Sequence, residues 1–160
     1  IRTALATCLS ATMTTSSNGR PRTMAVKKLF VDTGAWLAVI DPRDQYHQPA
    51  SAFYRQALQA YHHLITTNLV VAETYVNLRR SLSHAAAIGF LDTIEQSSRI
   101  ECVWSNPDLE DQARQILRQY TDQDFSYVDA VSFALMQEMK ITEAFAFDRH
   151  FVTAGFVCVP

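Results

Sequence analysis

Residues 27–41 read KKLFVDTGAWLAVID. An apolar run, Leu29-Phe30-Val31, stops at a carboxylate, Asp32. The small pair Thr33-Gly34 follows, and a second apolar run continues to Ile40. The first run has the length and content of a buried strand. The second begins just after a residue type that caps helices. A strand ending on an acid and giving way to a helix opens an α/β unit. Asp32 then has two readings: it caps the helix, or it is one wall of a site beyond the strand.

The rest of the chain repeats the alternation. Strand-like runs recur at Leu64–Thr66, Ile100–Val103, Phe145–Phe147 and Phe156–Val159. Helical patterns separate them at 48–62, 69–81, 84–97, 107–120 and 127–139. In 107–120, Pro107 opens the helix, and Leu109, Ala113, Ile116, Leu117 and Tyr120 form one apolar stripe. Residues 127–139 are apolar nearly all round, which predicts a buried helix. Strands alternating with helices predict an α/β fold, a central parallel sheet of about five strands with helices on both faces. Continuously apolar strands predict burial of both sheet faces.

The chain has 160 residues, 48% of them hydrophobic, enough for one domain with a real core. No apolar run reaches the roughly 20 residues of a membrane span. Residues 1–31 carry five basic residues and no acid, whereas 32–160 carry nine basic and sixteen acidic residues, a balance of −7. A general nucleic-acid binder would be strongly basic instead. Residues 1–23 are rich in Ser and Thr and are read as a disordered leader or upstream extension, with the domain spanning 24–160 and Met24 as its start. Cys8, Cys102 and Cys158 form no metal-binding or disulfide pattern; Cys102 and Cys158 read as core thiols of a cytoplasmic protein.

In a parallel sheet, sites form beyond the carboxyl ends of the strands. Asp32 and Asp148 each directly follow a strand-like run there. Glu73 lies early in the helix after the LITT run. Asp129 is the only charge in residues 127–137. Each acid also has a plain reading: Asp32 and Asp148 as N-caps, Asp129 in a capping box with Ser126, and Glu73 as a solvated helix residue. Together they point elsewhere. A buried carboxylate without a partner is very costly, and no lysine or arginine lies near Asp129 in sequence. At ~4 Å, two like charges repel by about 4 kcal/mol at an effective dielectric of 20. Four acids at one edge therefore ask for a cation or a shared proton. All-oxygen ligands select a hard ion, Mg²⁺ or Mn²⁺.

FVDTGAWLAVIDPRDQYHQPA, TTNLVVAETYVNLRR and the stretch from YTDQDFSYVDA to AFAFDRHFVTAGFVCVP resemble PIN-domain proteins of the VapC-like toxin type, over residues 28–160. The resemblance implies a metal-dependent ribonuclease, the toxin of a toxin–antitoxin pair. By position it makes Asp32, Glu73, Asp129 and Asp148 the catalytic and metal-binding set. Thr33 and Ser126 match small hydroxyl positions and are taken as substrate contacts, Gly34 stands where serine is also frequent, and Asp122 and Asp124 add acids beside the site, their roles open. It further implies an RNA substrate, a cognate antitoxin, a homodimer and no membrane. Arg80 and Asn77 fall on the helix face of Glu73, and Arg149 and His150 adjoin Asp148; Arg80 and Arg149 are taken as substrate contacts. The five histidines otherwise read as surface residues, with His62 and His63 on a helix. Trp36 reads as core, and so does the Val70, Val71, Val76 and Leu78 set, part of which the resemblance would make a dimer face or a seat for the antitoxin.

The alternative is a non-catalytic RNA-binding or protein-interaction module that keeps the acids as caps. A receiver domain would want an acidic pair before the acceptor strand and a lysine after the late strands, yet the only lysine beyond Lys28 is Lys140. A haloacid-dehalogenase-type phosphatase would want D-x-D where this chain has Asp32-Thr33-Gly34.

Overall fold

The computed structural model describes residues 26–160. The readings of residues 1–23, of Met24 and of Cys8 lie outside them. In chain order the elements are β1 (Lys28–Val31), α1 (Thr33–Ile40), α2 (His47–Ala60), β2 (His63–Thr67), α3 (Asn68–Ser81), α4 (His84–Gln96), β3 (Ile100–Val103), α5 (Pro107–Gln119), α6 (Tyr127–Glu138), β4 (Glu143–Phe145), α7 (Arg149–Thr153) and β5 (Val157–Val159). The five strands form one parallel sheet in the order β3-β2-β1-β4-β5.

That order has a physical consequence. The chain winds from β1 out to β3, then returns past β1 to β4 and β5. With the right-handed crossovers that parallel connections take, α1–α4 cover one face and α5–α7 the other. Strand periodicity agrees. Phe30 and Phe145 fall on opposite faces, because Phe30 pairs with Ala144 and Val31 with Phe145. Phe145 meets Phe53 of α2, while Phe30 meets Phe151 of α7. The winding reverses between β1 and β4, where the ends of two neighbouring strands open a crevice.

Local signals set the boundaries. Asn106 caps α5 by accepting the Leu109 N–H at 2.9 Å, with Pro107 in the first turn. Ser83 caps α4. Gly155, at φ +94°, turns the chain from α7 into β5 in a conformation that side chains resist. Helix α6 buries an unbroken run from Ala130 to Met136, as its composition demands.

Several expectations need correction. The fourth strand is Glu143–Phe145, two residues earlier than its apolar run suggests, because Phe147 has left the sheet to stack on Tyr46 at 4.4 Å. Burial of both faces holds for the central strands only: edge strands β3 and β5 are partly open, and Val157 is exposed. His62 and His63 are not helical, since α2 ends at Ala60 and His63 begins β2. Val70 and Leu78 are buried but Val76 is exposed. Cys102 and Cys158 are free thiols, only partly buried. No helix of the described residues is long and apolar enough to cross a membrane.

Candidate active site

Asp32 lies at the end of β1, where its N–H donates to the carbonyl of Phe145 at 3.1 Å. Its carboxylate accepts the Gly34 N–H at 3.2 Å and so caps α1. It is only 7% exposed. Burial drives its pKa up to about 7, against the backbone N–H groups of Gly34 and Thr33; Asp129 and Glu73 add repulsion in the same direction as burial. A carboxylate that needed only to cap would gain nothing from this environment.

Glu73 arrives from α3, one and a half turns past the cap that Thr67 provides. The Thr33 hydroxyl donates to its Oε2 at 2.6 Å, tying the start of α1 to α3. Asn77, four residues on, donates to the Glu73 carbonyl at 3.0 Å. A Cβ added at Gly34 would meet Asp32 Oδ2 at 3.6 Å, an ordinary contact, so a serine fits there.

Asp129 opens α6 in a reciprocal capping box: its N–H donates to Ser126 Oγ at 3.0 Å, and its Oδ2 accepts the Ser126 N–H at 2.9 Å. Asp148 caps α7 by accepting the His150 N–H at 2.9 Å. Three of the four acids therefore do hold caps, and all four face one hollow. Asp32, Thr33, Gly34, Leu37, Glu73, Asn77, Asp124, Ser126, Asp129, Asp148 and His150 line one concavity of about 330 Å³.

His150, which the sequence places only as a positive group beside Asp148, links three of the acids. Its Nε2 lies 2.9 Å from Asp124 Oδ1, and its Nδ1 lies 3.3 Å from both Asp129 Oδ2 and Asp148 Oδ2. Its ring packs edge-on against Phe125. Burial pulls its pKa down, but Asp124, Asp148 and Asp129 outweigh that and raise it, favouring the imidazolium. The same contact holds the Asp124 carboxyl below the usual range. So Asp129 does have a cationic partner, 21 residues away, and Asp124 is drawn to the site through it. The available signal was the F-D-x-H-F spacing, in which His150 follows Asp148 by two residues.

The two arginines behave differently. Arg80 and Arg149 are both exposed and do not line the concavity. Arg149 is close enough to Asp124 to help lower its pKa.

The donor set suits a hard divalent cation. Four carboxylates converge on a polar hollow, one of them buried and repelled by two others, and a cation would relieve that repulsion. Among the described residues no three of these groups are drawn together as a ready-made metal cage.

Comparison with known proteins gives three results. Residues 29–157 match the PIN domain. The 23S rRNA-specific endonuclease VapC20 of Mycobacterium tuberculosis is 35% identical over 129 residues, covering 81% of this chain and 95% of that protein. Its crystal structure, described as a sarcin–ricin loop cleaving toxin, superposes with a TM-score of 0.77 at 34% identity, covering 82% of this chain and 98% of the other. A chain of a toxin–antitoxin complex from Klebsiella pneumoniae shares the fold at a TM-score of 0.58 and 15% identity, covering 82% and 96%.

Proposed function

The chain belongs to the PIN-domain family, and on that premise we propose that it is a metal-dependent endoribonuclease, the toxin of a toxin–antitoxin pair, acting on ribosomal RNA. The observation that carries the chemistry is the convergence of Asp32, Glu73, Asp129 and Asp148 on one hollow, with Asp32 buried and its pKa raised. Its resemblance to a ribosomal-RNA endonuclease supports the substrate class. A homodimer and a cognate antitoxin as partner, in the cytoplasm, complete the reading.

Asp32 and Asp129 are the principal metal ligands in this scheme, with Glu73 and Asp148 joining directly or through water. Bound Mg²⁺ or Mn²⁺ supplies neutralisation of the phosphodiester's charge and a more acidic water. The chain's own residues do the rest. Thr33 fixes Glu73 by its hydroxyl, so that the carboxylate presents a defined oxygen to the hollow. Glu73, half-buried and without a cationic partner among the described residues, accepts the proton of the attacking water. Ser126 holds Asp129 through the capping box, and His150 holds it from the other side. Arg149, on the rim beside Asp148, contributes positive charge to the approaching backbone; Arg80, further along α3, contacts RNA only beyond the hollow.

The test is cleavage of purified ribosomal RNA by the protein with Mg²⁺, with Mn²⁺ and with EDTA, beside Asp32→Asn. Discrete fragments that require both metal and Asp32 support the reading. Folded, antitoxin-free protein that leaves the RNA intact with either metal would favour the non-catalytic binding module.

A further inference from the structure

Trp104 is the most exposed large apolar side chain of the described residues, at 73%. Tryptophan is usually well buried, and this one is left largely in solvent. It lies on the linker between β3 and α5, on the carboxyl rim of the sheet. The register fixes its distance from the acids. Phe30 pairs with Ile65 and Ile65 with Glu101, so two residues on, Asp32, Thr67 and Val103 stand level. Trp104 is the next residue. Two strand spacings, roughly 10 Å, separate it laterally from Asp32. That is the reach of two or three stacked nucleotides at about 3.4 Å each.

The linker holds Trp104 firmly. The Ser105 N–H donates to Asn68 Oδ1 at 2.8 Å, and the Ser105 hydroxyl to Glu110 at 3.2 Å. Asn106 caps α5, and Pro107 fixes the next turn. Asn68 begins the helix that carries Glu73 and Asn77 into the hollow, so the rim and the acidic site share one rigid support.

We propose that Trp104 is a stacking platform for a nucleobase of unpaired RNA flanking the acidic site; this rests on the ribonuclease reading above. An aromatic face accepts any base, and such stacking reads unpaired loops, not duplexes. Trp104 is followed by Ser105 and Asn106, and the nearest exposed large apolar residues in sequence are Ile88 and Tyr127. The linker beside the ring is polar, Ser105-Asn106, and one exposed ring suits a single base, whereas a protein face needs contiguous apolar area. Stacking on Trp104 would also supply RNA affinity without basic charge, which this acidic surface lacks.

The experiment binds a sarcin–ricin loop hairpin RNA to the Asp32→Asn protein and follows tryptophan emission. Trp36 is 2% exposed, so emission changes report Trp104. Quenching is expected, and adding Trp104→Ala should weaken binding by about 5- to 100-fold, while Trp104→Phe and Trp104→Tyr hold it within about threefold. In the cleaving protein, Trp104→Ala should raise KM and leave kcat nearly unchanged. Unchanged RNA affinity in Trp104→Ala would overturn the inference. So would a loss of self-association, measured by sedimentation, with RNA affinity intact, because that marks a protein face. If the parent protein cuts ribosomal RNA and only the Trp104 effect is missing, the ribonuclease reading survives and this inference falls. If the parent neither cuts nor binds RNA, both fall.

Discussion

The two ends of the sheet handle charge in opposite ways. At the amino end, charges are matched. Lys27 pairs with Glu143 at 3.2 Å and sits over the Tyr61 ring at 4.3 Å, while Tyr61 donates to Glu143 at 3.1 Å. Arg99 closes the end of α2 by donating to the carbonyls of Leu58, Tyr61 and His62. At the carboxyl end, Asp32, Glu73, Asp124, Asp129 and Asp148 line one hollow, three of them against His150. One end is arranged for stability. The other holds repulsion that only a cation or a proton relieves, the mark of a functional site.

The strongest way to break this contrast is Asp32→Asn. Cleavage should fall by at least about 100-fold, beyond the 10–100-fold typical of losing an outer partner of a metal site. Asparagine caps a helix as well as aspartate does, so α1 should remain intact and circular dichroism unchanged.

Without metal, the same substitution should stabilise the fold. The folded pKa of Asp32, about 7, lies above its ordinary value of 3.8, so the folded state holds the proton more tightly. That contribution is complete below pH 4 and is lost as pH rises through 7. The raised pKa of His150 has the same sign. In EDTA at pH 8, Asp32→Asn should therefore gain up to about 4 kcal/mol over the parent in urea unfolding. Equal stability would mean that the repulsion is absent.

His150→Ala sharpens the contrast from inside the site. It removes the imidazolium that competes with a metal for Asp129 and Asp148, and should tighten Mn²⁺ binding, most at acidic pH, as read by calorimetry. Arg99→Ala tests the other end: it should cost about 1–2 kcal/mol of stability and leave cleavage unchanged.

The sheet and its helices were legible because their signals are local. The apolar runs, the Asn106-Pro107 start and the buried run of α6 each state their element without outside help. The fourth strand was misplaced because Phe147 is as apolar as Phe145, and only tertiary stacking on Tyr46 tells them apart. Three of the acids were legible because each follows a strand or opens a helix, and Glu73 because it lies early in the helix after a strand. His150 and Asp124 were legible as neighbours of the site but their pairing was not, since it depends on a loop and a five-residue helix meeting across 26 positions of chain. Arg80 shares a helix face with Glu73 but does not line the hollow, a distance along α3 that the shared face does not convey.

The most direct test of the central claim is Mn²⁺ binding by calorimetry at pH 7.5, on the parent protein and on Asp32→Asn. Strong binding to the parent, weakened at least about tenfold by removal of this one charge, is the expected result. Equal binding to both, or none to the parent, would contradict it.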